Sequence, residues 1–118
     1  FMDIRVERML PEVRADDLRQ AWADIMRRAK LNAHHKITRE QLSVREHMTR
    51  ILRRLADVRF MEFTELFSES VEKGHAVPVI VVHFLAMLEL ARESLLEVTQ
   101  AAPYAPIYVR LTYTQAVS

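Results

Sequence analysis

The sequence contains no cysteine, and only one of its 118 residues, Gly74, is glycine. Without cysteine, the chain can form no disulfide bond, no thiolate nucleophile and no cysteine-ligated zinc site. The glycine-rich loops that bind nucleotide phosphates need several closely spaced glycines, so a single glycine excludes them. These two absences remove thiol chemistry and the common nucleotide-binding folds from consideration.

An excess of charge of one sign is also lacking, because 17 lysines and arginines face 16 acidic residues and leave a net charge of +1. Such a chain is not expected to be a general binder of polyanions. The longest nearly apolar stretch, residues 76–88, contains His83 and is too short to span a bilayer, and no signal peptide is visible. We therefore expect a cytoplasmic protein with no membrane partner.

The five histidines do not show the spacing of metal ligands. His34 and His35 are adjacent, so in an extended segment they point to opposite sides. His47, His75 and His83 lack the spaced carboxylates of an HExxH motif. No grouping of serine, histidine and aspartate has a recognisable motif context either. We predict no catalytic residue, no metal, no cofactor and no small-molecule substrate, and hence no enzyme.

Apolar residues recur at helical spacing in several segments. The pattern predicts helices at 16–32, 44–56, 65–71 and 77–93. Ser43 and Glu46 form a capping box before the second helix, and Thr64 is placed to cap the third. Pro78 suits the first turn of the fourth helix. Backbone N–H groups there have no partner within the helix, so a proline breaks no hydrogen bond.

Three short segments have the character of strands. They are an aromatic-rich run at 59–63 and two runs at 95–99 and 107–113 separated by a proline-containing turn. The order from residue 43 onward is that of a winged helix, a three-helix core with a β-hairpin wing. The fold class is therefore predicted as mainly α with a small hairpin, divided into a tail or linker at 1–15, a separate amphipathic helix and connector at 16–42, and the winged helix at 43–118.

A winged helix that reads DNA needs basic residues on its third helix and wing. Here the helix at 77–93 carries Arg92 against Glu89 and Glu93, and the wing carries Arg110 against Glu97. This neutral to acidic surface gains nothing from counterion release. Basic residues cluster instead on the helix predicted at 44–56: Arg45, Arg50, Arg53 and Arg54. A DNA-binding winged-helix regulator that uses this basic helix is the alternative function.

The helix at 77–93 is apolar on most sides, which is typical of a helix buried on most sides. On a helical wheel we assign one stripe to the domain core: Val77, Ile80, Val81, Phe84, Met87, Leu88 and Ala91. Five apolar residues fall outside it: Val79, Val82, Leu85, Ala86 and Leu90. This second side must meet the wing, the helix at 16–32, or another chain.

If the second side meets another chain, it forms a partner-binding surface. The alternation of Ile107 and Val109 points Tyr108 away from the core and towards such a surface. The predicted partner-binding residues are Val79, Val82, Leu85, Ala86, Tyr104 and Tyr108. The alternative is that the helix residues touch only the wing.

Several runs of the sequence resemble the ScpA family, the bacterial kleisins (segregation and condensation protein A). Residues 43–48, 60–67 (FMEFTELF) and 82–90 (VHFLAMLEL) are similar to helix and strand segments of the C-terminal domain of that family. Residues 102–109 resemble its wing, with Ala105 and Pro106 in place of the usual Gly-Asp. Residues 17–28 resemble the helix that precedes the domain.

The resemblance implies a function that composition alone does not. ScpA bridges the two ATPase heads of an Smc dimer, and its middle segment binds an ScpB dimer. Its C-terminal winged helix binds one Smc head, and the family has no catalysis of its own. By this resemblance the chain is expected to hold the end of the middle region and the winged helix. It would act in chromosome condensation and segregation, at the nucleoid, and would reach DNA only through Smc.

Overall fold

The computed structural model of the chain describes residues 13–32 and 43–113. Most of the predicted tail, and the connector that carries His34 and His35, lie outside the described residues. The elements in chain order are α1 (Ala15–Asn32), α2 (Val44–Ala56), β1 (Met61–Glu62), α3 (Phe63–Glu72), α4 (Val77–Arg92), β2 (Leu96–Gln100) and β3 (Ile107–Leu111). The fold is mainly helical with a small antiparallel sheet, as predicted, and its element order is that of a winged helix.

The sheet has three strands in the order β1-β3-β2, so the predicted hairpin gains a third strand. Met61 lies opposite Val109 in one neighbouring pair, and Val98 lies opposite Val109 in the other. All three side chains are buried. The first strand is shorter than the predicted run at 59–63, because Phe63 already begins α3 and buries its ring in the core.

The helix starts agree with the sequence patterns at α2 and α4 but not at α3. The Ser43 hydroxyl accepts a hydrogen bond from the Glu46 amide at 3.3 Å, and Pro78 lies in the first turn of α4. The prediction that Thr64 caps α3 is wrong. Glu62 is the N-cap residue and makes no side-chain capping bond, while the Thr64 hydroxyl donates to Glu62 Oε1 at 3.1 Å.

Helix α1 packs on the winged helix and shares its hydrophobic core. Ile25 and Ala29 are fully buried in the same cluster as Phe67 and Met87. The Trp22 ring stacks on Phe84 with 4.2 Å between ring centroids. The apolar side of the amphipathic helix predicted at 16–32 therefore packs against α3 and α4.

The core stripe predicted for α4 is partly correct. Ile80, Met87 and Ala91 are buried, whereas four members are only partly buried: Val77, Val81, Phe84 and Leu88. Helix α4 packs against α2 on one side and against α1, α3 and β2 on others. With neighbours on several sides, the buried surface is wider than one stripe and is centred differently.

The buried side chain of Gln100 connects α1 to the wing through partly buried hydrogen bonds. This side chain is 1% exposed. Its Oε1 atom accepts from the Arg14 amide at 3.0 Å, and its Nε2 donates to Asp17 Oδ2 and to the Ala105 carbonyl, both at 2.9 Å. One side chain thus connects the start of α1, the end of β2 and the turn that follows.

A pair of buried histidines joins α2 to α4. The Nδ1 atoms of His47 and His83 are 2.9 Å apart. One of the two nitrogens therefore carries a proton and donates a hydrogen bond to the other. Burial, followed by the nearby His47, Arg54 and Arg50, lowers the pKa of His83 to about 4. The fold therefore holds the His83 ring neutral at pH 7.

We expect Gln100→Leu to lower the free energy of unfolding by about 1–2 kcal/mol, because it removes the hydrogen-bond partner of the partly buried Arg14 amide and Ala105 carbonyl. Chemical denaturation measures the change. Gln20→Leu makes the same replacement at an exposed position of α1 and should stay within about 0.5 kcal/mol of the parent. Equal stability of the two variants would contradict a stabilising connection between α1 and the wing through Gln100.

We expect the protein to lose stability between pH 7 and pH 5 through His83. Between a pKa of about 4 in the folded chain and about 6.5 in the unfolded chain, the unfolded chain binds more protons, so stability falls as the pH falls. The His83 contribution to this loss is about 2 kcal/mol at pH 5. Denaturation of the parent and of His83→Phe at both pH values should show a smaller loss in the variant.

Candidate protein-interaction surface

The predicted partner-binding residues of α4 are mostly buried. Val79, Val82 and Ala86 are at most 9% exposed, and Ala86 belongs to the core cluster. The prediction that they lie on a second, exposed face is therefore wrong, because α4 is enclosed by neighbouring helices and the sheet. Leu90, also placed outside the core stripe, is fully buried. Of the predicted binding residues on α4, Leu85 alone presents an exposed side chain, at 47%.

The outer face of the sheet carries a pair of aromatic rings, Phe60 and Tyr108, here called the sheet patch. Tyr108 lies between Glu62 and Thr99 of the neighbouring strands, while Val109 next to it is buried. The alternation predicted for β3 is therefore confirmed. The Phe60 ring, 57% exposed, meets Tyr108 edge to face with 5.1 Å between centroids.

Phe60 was not among the predicted binding residues. The sequence does contain an indication of its exposure, because Phe60 immediately precedes Met61, which is buried in the core. In an extended segment neighbouring side chains point to opposite faces, so Phe60 falls on the outer face. The pairing of Phe60 with Tyr108 depends on the β1–β3 register, which a single sequence does not specify.

Tyr104 lies at the tip of the wing and is 81% exposed. Its backbone has a φ of 66°, the left-handed region that normally favours glycine. The Tyr104 amide donates to Asp17 Oδ2 at 2.8 Å, and the Arg14 guanidinium lies 4.9 Å from the centre of the Tyr104 ring. The hydrogen bonds from Tyr104 and from Gln100 lower the pKa of the Asp17 carboxyl. The start of α1 therefore fixes the wing turn and the position of its tyrosine.

The cations of α4 and of the wing are paired with acids. Arg92 contacts Glu89 Oε1 at 2.6 Å, three residues earlier on α4. Arg110 of β3 pairs with Glu97, which lies opposite it on β2. The surface with which a winged helix reads bases thus has no unpaired arginine available for phosphates, in agreement with the neutral to acidic charge expected from the sequence.

Leu85, Tyr104 and Tyr108 lie on three different parts of the fold, namely α4, the wing turn and β3. Among residues 13–32 and 43–113, no group of three or more histidine, aspartate or glutamate side chains is arranged to hold a metal ion. None of the helices in this part of the chain is long and apolar enough to cross a membrane.

Known proteins resemble the chain over most of its length. Residues 4–112 match the family model described as Segregation and condensation protein ScpA. The chain is 44% identical over 103 residues to segregation and condensation protein A of Xylella fastidiosa, which covers 87% of this chain and 33% of that protein. The corresponding protein of Coxiella burnetii is 42% identical over 100 residues, covering 85% of this chain and 36% of that protein.

A more distant relative is segregation and condensation protein A of Listeria monocytogenes, 36% identical over 103 residues, with 84% of this chain and 39% of that protein covered. The chain thus spans about a third of the length of the curated relatives that it matches. No solved structure matches it. The extent of the family match and the identity to these relatives show that the chain belongs to the ScpA family of segregation and condensation proteins.

Proposed function

We infer that the chain is the C-terminal region of the kleisin subunit of a bacterial condensin and acts in chromosome condensation and segregation. In this role it is a protein-binding module without an enzymatic activity of its own, in the cytoplasm at the nucleoid. The observation that carries the inference is the chemistry of the winged-helix surface. Its cations are ion-paired on α4 and the wing, and several large apolar side chains are exposed beside them, among them Phe60, Leu85 and Tyr104.

The proposed partner of the winged helix is the Smc ATPase head. The docking residues are the sheet patch of Phe60 and Tyr108, together with Leu85 and Tyr104. Aromatic side chains are enriched at the centres of protein interfaces, where they bury a large area with little loss of side-chain freedom. Val79, Val82 and Ala86 are buried and are not part of this surface.

The segment at 16–42 is proposed as the end of the kleisin middle region, which would contact an ScpB dimer. In the structure, α1 uses its Ile25 and Ala29 side to cover the winged helix. Its opposite side is therefore the one left for a partner. Leu31, 79% exposed near the end of α1, is an apolar side chain available for this contact.

The alternative is a DNA-binding winged-helix regulator that uses the basic helix α2. The pairing of Arg92 with Glu89 and of Arg110 with Glu97 argues against base reading by α4 and the wing. The DNA-binding measurement described below tests the contribution of α2. In the proposed function, the chain associates with DNA only through Smc.

We expect Leu85→Lys and Tyr108→Ala each to weaken binding of the chain to an Smc head by at least about tenfold, because each changes an exposed apolar contact. Both variants should keep a melting temperature close to that of the parent. Phe84→Ala is the contrasting variant. It removes a ring stacked on Trp22 and should destabilise the fold by about 2–3 kcal/mol. Calorimetric titration and thermal melting on the same samples measure both effects.

Two results would contradict the proposed docking surface. If Leu85→Lys unfolds the chain as readily as Phe84→Ala does, Leu85 belongs to the core. If both surface variants bind the Smc head as the parent does, the head docks on another part of the chain. Gln20→Lys, at an exposed position of α1, serves as the control for an added charge.

We expect the chain to bind duplex DNA weakly or not at all at about 150 mM salt, with no preference among sequences. The reason is the absence of surplus positive charge on α4 and the wing. A gel-shift series with unrelated duplexes measures this. Tight, sequence-selective binding at that salt concentration would instead favour the regulator.

A further inference from the structure

A cavity of about 790 Å³ lies between α2 and α3, away from the proposed docking residues. Its walls are one face of each helix, since the lining residues of α2 and of α3 recur at intervals of three and four. His75, which follows α3, and His83 of α4 complete the lining. The core residue Leu66 borders the cavity, and the proposed Smc contact does not use it.

Four side chains with permanent positive charge line the cavity: Arg50, Arg53, Arg54 and Lys73. They face only two carboxylates, Glu46 and Glu69, which leaves an excess of two positive charges. Arg50 pairs with Glu46 at 3.3 Å, and Glu69 is shared by Lys73 at 2.6 Å and Arg54 at 3.9 Å. Among the residues that the structure describes, Arg53 has no acidic partner.

One lining arginine, Arg54 of α2, also contacts α3. Arg54 Nη1 of α2 donates to the Leu66 carbonyl of α3 at 3.3 Å, in addition to its contact with Glu69. A guanidinium fixed in this way retains other N–H groups for a ligand, because it has five donors. Its position is set before any ligand binds, which reduces the cost of ordering it.

The buried His47–His83 pair forms part of the cavity lining. Burial and the neighbouring His47 lower the pKa of His83 most, and Arg54 and Arg50 add to the lowering. An anion in the cavity acts in the opposite direction and favours the protonated ring.

We propose that this cavity binds a terminal phosphate group, in a phosphate monoester or a pyrophosphate. A phosphate monoester carries close to two negative charges near pH 7, which matches the excess of two positive charges, and pyrophosphate carries more, whereas a carboxylate carries one. A phosphodiester of DNA also carries one charge. Guanidinium groups bind phosphate oxygens through paired, charge-assisted hydrogen bonds, and Arg53 and Arg54 provide them here.

The test is a titration of the 118-residue chain with inorganic pyrophosphate at pH 7, with ionic strength held constant by potassium chloride. Histidine ring signals in NMR spectra report on the site. We expect saturable shifts of the His47 and His83 rings, a dissociation constant on the order of 1 mM or tighter, and a raised titration midpoint for His83. Absence of saturable binding would overturn the proposal.

Arg53→Gln should weaken pyrophosphate binding at least about tenfold, because it removes the lining cation that has no acidic partner. Arg45→Gln makes the same change on the same helix at an exposed residue outside the cavity lining, and should leave the affinity unchanged. Equal effects of the two variants would show only a general attraction to positive charge and would overturn the site. Both positions are exposed on α2, so neither variant should disturb the fold.

Two further titrations distinguish the source of the phosphate. A short neutral peptide with one phosphoserine that competes with pyrophosphate would assign the site to a phosphorylated side chain. Binding of pyrophosphate without such competition would assign it to a small phosphorylated molecule. If a glutamate-containing peptide or a 12-base-pair duplex shifts the two histidine rings and pyrophosphate does not, the proposed ligand class is wrong.

Discussion

The fold depends on the need to enclose α4, a helix that is apolar on nearly every side. A helix of this kind has no broad face that water solvates well, so several elements must surround it. In this chain α2 packs on one side, and α1, α3 and β2 pack on others. The stacking of Trp22 on Phe84 is one result, and the burial of Val79, Val82 and Ala86 is another. Only the sector around Leu85 stays open.

Most elements of the fold could be predicted because their signals are local. The capping box at Ser43, Pro78 at the start of α4 and the alternation in β3 are each contained in a few neighbouring residues. The start of α3 was missed because the polar residue Thr64 resembles a cap, whereas burial of the Phe63 ring sets the first turn. Here tertiary packing outweighed the capping preference.

The candidate surface was harder to predict because it depends on which elements become neighbours. A helical wheel divides the apolar residues of α4 into two faces but does not indicate how many elements cover them. The aromatic pair of Phe60 and Tyr108 and the histidine pair of His47 and His83 join residues 48 and 36 positions apart. Neither pairing leaves a trace in local periodicity. The hydrogen bonds of Gln100 to Asp17 and Arg14 join residues more than 80 positions apart. Local periodicity does not predict them either.

The near-zero net charge of the chain hides an uneven distribution over its surface. On α4 and the wing, each arginine has an acid within three residues or directly across the strand pair, so the charges cancel locally. On the cavity face of α2 and α3, cations outnumber carboxylates, and Glu69 serves two of them. The first arrangement favours an apolar partner, because docking there buries no unpaired arginine. The second arrangement keeps an uncompensated positive field, which attracts an anion. One small winged helix thus presents two surfaces that favour different kinds of ligand.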